Sequence, residues 1–137
     1  MTLSFTVEGV PRGKGRPRFT TKGRFPQTYT DAETRAYEEQ IAWAAKAAGA
    51  KPVPNACRIS VTLGMPLPKS WSIKKKDLAW HAEGKCLCLP DVDNALKIVM
   101  DALNGVAWKD DRQVFEATIH KVYVSLPELS CQITYLP

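Results

Sequence analysis

Residues 90–114 read PDVDNALKIVMDALNGVAWKDDRQV, and this stretch decides how the middle of the chain folds. From Asp93 onward, apolar residues recur at the spacing of one helix face, namely Leu96, Val99, Met100 and Leu103. Asn104 and Gly105 then supply a helix stop signal. A β-rich run begins at Val114. The stretch therefore predicts a helix, a turn and the start of a strand.

Strand patterns lie on both sides of this helix. The segments that carry them are residues 3–10, 59–65, 114–124 and 129–135. The last two, separated by Pro127, are expected to pair with each other. Because strands and helices are mixed without a regular βαβ repeat, we expect one α+β domain spanning residues 1–137, with a mixed β-sheet and helices packed on it.

Two further helices are expected outside the central stretch. Thr30, followed three residues later by Glu33, has the spacing of a capping box, and the helical pattern that follows runs until Gly49 can end it. Ser70 is a candidate cap for a short helix through Lys76. Residues 82–90 are expected to be irregular.

Composition places the chain in the globular class. With 137 residues and 45% hydrophobic residues, it can form one core, which argues against disordered and collagenous classes. No apolar run approaches the ~20 residues of a spanning helix, and no secretory leader precedes the first strand, so a cytoplasmic location is expected. Reduced thiols are therefore the default for the four cysteines. Zinc binding by Cys86 and Cys88 with His81 is disfavoured because a second ligand pair is missing.

Basic residues are concentrated outside the central helix. The net charge is +5, which favours an anionic partner such as nucleic acid. Residues 11–29 form a predicted basic loop or arm, in which glycine and proline disfavour a helix or a central strand. The candidate DNA-binding residues are Arg12, Lys14, Arg16 and Arg18 in the arm, and Lys69, Lys74, Lys75 and Lys76 further on. Interspersed aromatic rings could stack on unpaired bases; alternatively, the lysines only solubilise the protein and the rings belong to the core.

An acidic island lies within the basic chain, because residues 91–111 hold five acids and only two bases. Asp91 and Asp93, two residues apart at the helix entrance, can converge on a hard cation such as Mg²⁺ together with a more distant aspartate. Lys97 lies one helical turn after Asp93, where an ammonium could contact a scissile phosphate. Asp110 and Asp111 form an adjacent carboxylate pair.

Structural roles are the alternative for each of these groups. Aspartates at a helix start act as N-caps, a pair such as Asp110 and Asp111 occurs in charged turns, and Lys97 could belong to a solvated face with intrahelical ion pairs. His81 and His120 have no serine or cysteine partner at a recognisable spacing, so nucleophilic catalysis by a protein side chain is disfavoured.

Several motifs together resemble the RusA-type Holliday-junction resolvases, which are small endodeoxyribonucleases. The matching segments are Gly9 to Arg18, Tyr29 to Tyr37, Pro68 to Trp71, Pro90 to Asn94, Asp101 to Gly105 and Trp108 to Val114. They cover nearly the whole chain, and the last blocks are the most specific. Leu89 and Ala95 depart from the family pattern, where we would expect a lysine and a leucine.

The resemblance implies roles for individual residues. Asp91, Asp93 and Asp111 match the family's catalytic metal-binding carboxylates, Lys97 matches its essential lysine, and Asp110 is a further candidate ligand. It also implies Mg²⁺ dependence, with Mn²⁺ as a possible substitute, no organic cofactor, and a homodimer that acts on branched DNA. A bacterial host cytoplasm and a phage or prophage origin follow from the family alone.

The function expected from the sequence is Mg²⁺-dependent resolution of four-way DNA junctions by paired symmetric nicks during recombination and repair. Two alternatives stay open: a non-catalytic nucleic-acid-binding module, and a nuclease with relaxed specificity for branched DNA. A small-molecule phosphohydrolase is disfavoured because a compact substrate has no use for the long basic arm.

Overall fold

The computed structural model describes residues 1–14, 18–20, 27–29, 31–81 and 86–137, with backbone alone at 18–20, 27–29, 80 and 81. In chain order these residues form strands and helices β1 (Thr2–Glu8), β2 (Arg18–Thr20), β3 (Gln27–Tyr29), α1 (Ala32–Ala47), β4 (Cys57–Met65), α2 (Ile73–His81), α3 (Val92–Leu103), β5 (Val114–Tyr123) and β6 (Glu128–Tyr135). A short 3-10 turn, Asp111–Gln113, precedes β5.

A four-stranded mixed sheet has the strand order β1-β6-β4-β5. β6 is antiparallel to both of its neighbours, whereas β4 and β5 are parallel. The end of the sheet that holds Cys57 and Val114 is termed the lower end, and the end that holds Met65 and Tyr123 the upper end. At the lower end, the Met1 carbonyl accepts the backbone N–H of Tyr135 at 2.9 Å. The predicted α+β class with a mixed sheet is confirmed.

The predicted pairing of the last two strands is wrong, because β4 lies between β5 and β6. The side chains explain the order. β6 buries Leu129 and Ile133 completely, which suits an interior strand. β5 instead carries Glu116 on one face and Lys121 on the other, and polar groups on both faces are tolerated best at an edge.

Helices α1 and α3 contact each other, and they pack on the sheet through β1 and β5 respectively. The sheet face towards them carries the alternating apolar side chains that the sequence predicted, among them Phe5, Val61 and Ile133. Complete burial of such a side chain contributes about 1.5–3 kcal/mol. The opposite face bears hydroxyl side chains, and Ser60, Thr62 and other small polar residues line a shallow cavity of about 430 Å³ there.

The three predicted helices are present, but α2 continues beyond Lys76 to His81, and the caps differ. α1 is capped by Asp31, whose Oδ1 accepts the backbone N–H of Thr34 at 2.8 Å. The predicted cap, Thr30, lies outside the described residues. α2 begins after Ser72, whose hydroxyl accepts the backbone N–H of Lys75 at 3.2 Å, and not at Ser70.

The basic arm is only partly described. Residues 11–14 are irregular, and β2 and β3 form a two-stranded antiparallel ribbon that is separate from the central sheet. Residues 86–90 are irregular, as predicted. None of the described helices is both long and apolar enough to span a membrane.

Candidate active site

The first turn of α3 presents two exposed carboxylates. Asp91 occupies the N-cap position, with extended backbone at φ −65° and ψ 148°, but its side chain makes no capping hydrogen bond. Asp93 lies in the first turn, and both side chains are exposed. Within the described residues neither carboxylate has a hydrogen bond or an ion pair. The structural alternative of an N-cap therefore does not account for Asp91.

Lys97 lies one turn further along the same helix and is also exposed. The alternative of intrahelical ion pairs is not realised in the described part of the chain, where Asp101 pairs with Lys14 and Lys97 pairs with no carboxylate. Three charged groups at the upper half of α3 are thus available to a ligand.

The segment before Asp91 is fixed to the sheet. Cys86 and Cys88 are joined in a disulfide with a Cα–Cα distance of 5.6 Å, which corrects the expectation of reduced thiols for this pair. The ammonium of Lys121, on β5, donates to the Cys88 carbonyl. Disulfide sulfurs do not ligate zinc, so the bonded pair also argues against the zinc interpretation.

Asp111 is held by a buried tryptophan. Trp108 is 0% exposed, and its indole N–H donates to Oδ1 of Asp111 at 2.8 Å. Asp111 itself is only partly exposed. The indole fixes one carboxylate oxygen, as groups behind metal-binding side chains commonly do, and within the described residues the other oxygen has no hydrogen-bond partner.

Asp110 has a structural role in the same turn. Its Oδ1 accepts the backbone N–H and Nε of Arg112, at 2.8 and 3.1 Å. Both hydrogen bonds lower the pKa of Asp110 below its usual value, and the one from the backbone N–H has the larger effect. Gln113 completes a capping box: its Oε1 accepts the N–H of Asp110, and its amide donates to Val53 and Asn55 carbonyls at 2.8 and 2.9 Å. That Asp110 also binds a metal remains a prediction.

The two groups of carboxylates lie at opposite ends of α3. The helix has 12 residues, which corresponds to about 18 Å at 1.5 Å per residue. β5 gives an independent measure: Lys121, which contacts Cys88, is seven residues beyond Val114, and seven residues of strand span about 23 Å. Asp91 and Asp93 are therefore near the upper end of the sheet, and Asp111 is at the lower end.

This separation decides how a magnesium ion fits. Among the described residues, no group of three or more His, Cys, Asp or Glu side chains is arranged to hold a metal ion. Asp91 and Asp93 match the one or two carboxylates that Mg²⁺ typically takes from a protein, with phosphate and water as the other ligands. The three-carboxylate set that the sequence suggested does not form within one chain.

The candidate DNA-binding lysines and arginines fall into three groups. Arg12 pairs with Glu33 at 2.5 Å on the surface, and Lys14 is held by two carboxylates. Lys69, Lys74 and Lys75 are exposed and Lys76 is partly exposed; Lys75 lies 4.4 Å from the ring centre of Trp71. The side chains of Arg16 and Arg18 lie outside the described residues. DNA binding by these bases remains a prediction.

The sequence reasoning missed several residues that shape the site. The sequence pattern assigned no individual role to Trp108, Gln113 or Lys121. A tryptophan three residues before a carboxylate in a turn was the available signal, because a buried indole N–H needs an acceptor. Nothing in the local pattern pointed to Lys121, which acts across 33 residues of chain.

Comparison with known proteins places these features in a family context. The family described as "Endodeoxyribonuclease RusA" matches residues 8–134. The chain is 31% identical over 134 residues to "Uncharacterized protein YqaN" of Bacillus subtilis (strain 168), and the match covers 96% of this chain and 94% of that protein. Both matches include α3 and the Asp111 turn.

Proposed function

Because this chain belongs to the RusA endodeoxyribonuclease family, we propose that it cuts four-way DNA junctions by paired symmetric nicks during recombination and repair. The observation that carries the proposal is the exposed pair Asp91 and Asp93 at the start of α3, with Lys97 one turn away. A bacterial cytoplasm and a phage or prophage origin remain predictions from the family resemblance.

Magnesium is the proposed metal, with Mn²⁺ able to substitute and no organic cofactor. When bound, Mg²⁺ supplies activation of a water and stabilisation of the departing 3′ oxygen. Asp91 and Asp93 would hold it, since carboxylate oxygens are its preferred protein ligands. Lys97 binds the phosphate next to them, and the exposed basic residues neutralise the DNA backbone and so provide affinity.

A homodimer would resolve the separation of the carboxylates. In an isologous contact, the upper end of one α3 can meet the lower end of its counterpart, which brings Asp91 and Asp93 beside the partner subunit's Asp111. The exposed apolar side chains support this arrangement: Leu89 precedes Asp91, Phe115 follows the Asp111 turn, and a contact of this kind would cover both. Two such sites per dimer suit two strands related by the symmetry of a junction.

The first test compares an end-labelled four-way junction with a linear duplex of the same sequence, each with Mg²⁺ and with EDTA. We expect symmetric nicks in the junction that need Mg²⁺ or Mn²⁺. Asp93→Asn should abolish cleavage and retain junction binding. Binding without cleavage in several junction sequences would instead support a non-catalytic binding module, and cutting of flaps at a similar rate would support a relaxed nuclease.

A mixing experiment tests the shared site. Asp93→Asn and Asp111→Asn proteins are each expected to be inactive. A mixed dimer of the two has one site with both substitutions and one intact site, so nicking of a single strand should return. If all three carboxylates of a site belong to one protomer, every site in the mixture is damaged and no activity returns.

A further inference from the structure

The start of the basic arm lies directly against α3. Pro11 is fully buried, and Gly13 approaches so closely that a Cβ at that position would be 2.9 Å from Cβ of Pro90 and 3.1 Å from Cβ of Asn94. The backbone N–H of Lys14 donates to the Asn94 carbonyl at 3.0 Å. The arm therefore leaves the described core beside the first turn of α3, where the exposed carboxylates lie.

The side chain of Lys14 joins two helices. Its Nζ lies 2.5 Å from Oε1 of Glu38 on α1 and 3.0 Å from Oδ2 of Asp101 on α3. Only 16% of the Lys14 side chain is exposed. Burial lowers the pKa of Lys14, but the hydrogen bonds that its ammonium donates to Glu38 and Asp101, together with the charges of these carboxylates, outweigh burial and raise the pKa overall, so the ammonium stays charged at neutral pH.

The charge balance of this cluster does not suit a phosphate contact. One ammonium faces two carboxylates, so the cluster carries a net negative charge and repels a DNA backbone. Arg12, two residues earlier, differs. Its pair with Glu33 is at the surface, with 46% and 74% of the two side chains exposed, and such pairs are weak enough to be exchanged for a phosphate.

We propose that Lys14 is a positioning residue: it fixes the place where the basic arm leaves α3 and thereby selects which phosphate of a bound strand reaches Asp91 and Asp93. The proposal rests on the proposed nuclease function. Because the Lys14 ammonium is already paired with two carboxylates, it adds little affinity for DNA. It instead determines the register between the DNA held by the arm and the carboxylates at the start of α3.

The matched variants Lys14→Met and Arg12→Met test this role in the full-length protein. For Lys14→Met, we expect an unchanged salt dependence of junction binding, cleavage that is slower by roughly ten- to a hundredfold, and nicks spread over neighbouring phosphates. For Arg12→Met, we expect the slope of log K against log salt to fall by about 0.9, with nicks at the wild-type position. Lys14→Arg should restore the single nick position.

Glu38→Gln provides a second variant, one that leaves every lysine and arginine in place. If Lys14 positions the arm, this change loosens one of its two anchors and spreads the nick positions, while the slope of log K against log salt stays at the wild-type value. If Lys14 contacts a phosphate, the same change frees it, so the slope becomes steeper and the nick position stays single. That result, or a lower salt slope for Lys14→Met, overturns the proposal.

The two proposals can fail separately. A wild-type protein that cuts no branched DNA refutes the nuclease function, and the salt slopes still decide whether Lys14 contacts a phosphate. A wild-type protein that cuts, together with a Lys14→Met variant that keeps a single nick position and the wild-type rate, refutes the positioning role alone. Thermal unfolding of each variant shows that slow cleavage is not the result of an unfolded protein.

Discussion

Trp108→Phe tests whether the buried indole orients Asp111. The substitution removes the N–H that donates to Oδ1 at 2.8 Å and also removes buried carbon atoms from a side chain that is 0% exposed. The lost packing costs ~1–2 kcal/mol of unfolding free energy. A hydrogen bond to a charged group contributes about 1.5–3 kcal/mol, and partial exposure of Asp111 places our expectation at the lower limit.

A double-mutant cycle separates the hydrogen bond from the packing. Urea unfolding is measured for wild type, Trp108→Phe, Asp111→Ala and the double variant. The packing loss is common to both arms of the cycle and cancels, so the expected coupling is about 1–2 kcal/mol. The control cycle pairs Asp111→Ala with Trp43→Phe, since Trp43 is 74% exposed on α1 and should show no coupling. Effects of Trp108→Phe and Asp111→Ala that simply add would refute the orienting role.

Three further predictions concern the rest of the fold. Gly64→Ala should destabilise the protein by about 1–3 kcal/mol in urea unfolding without a change in m, because the new Cβ would lie 2.9 Å from the carbonyl oxygen of Glu128; wild-type stability would contradict this contact. Burial, opposed by Arg12, raises the pKa of Tyr37 from 10.0 to about 12. The resulting contribution of Tyr37 to the free energy of unfolding is present below pH 10 and is lost as the pH rises towards 12. Wild type should therefore lose about 2 kcal/mol more than Tyr37→Phe over this range, and parallel pH profiles would exclude this effect. Burial also raises the pKa of both free cysteine thiols, that of Cys131 to about 12, so a thiol reagent should find no fast-reacting group in the native protein and two thiols after unfolding without reductant; four would show that the disulfide is absent.

Periodicity predicted most of the fold, because alternation and helical spacing record which face of an element is buried. The strands containing Leu3, Ile59 and Leu129 and the helix from Asp93 to Leu103 were found where expected. Strand order was not predictable in the same way. Strand order depends on which strands bury one face completely, as β4 and β6 do, and β5, which carries charged groups on both faces, lies at the edge of the sheet.

The roles of the candidate site residues remain predictions, but the structure shows which of these side chains are accessible and where they lie. Asp91, Asp93 and Lys97 are exposed and unpaired within the described residues, as a ligand site requires. Asp111 lies only 18 positions after Asp93, yet the rigid helix between them carries it to the other end of the sheet. The predicted length of the helix already implied that Asp93 and Asp111 lie far apart. The position of the Lys14 side chain could not be predicted from the sequence, because its partners Glu38 and Asp101 are distant in the chain.

The adjacency of Met1 and Tyr135 at the lower end of the sheet has a practical consequence for laboratory work. An affinity tag or fluorescent fusion joined near either residue occupies the space around the Asp111 turn, where the proposed partner subunit has to dock. A tagged preparation could thus lose activity through obstruction alone. Removal of the tag before any assay avoids that artefact.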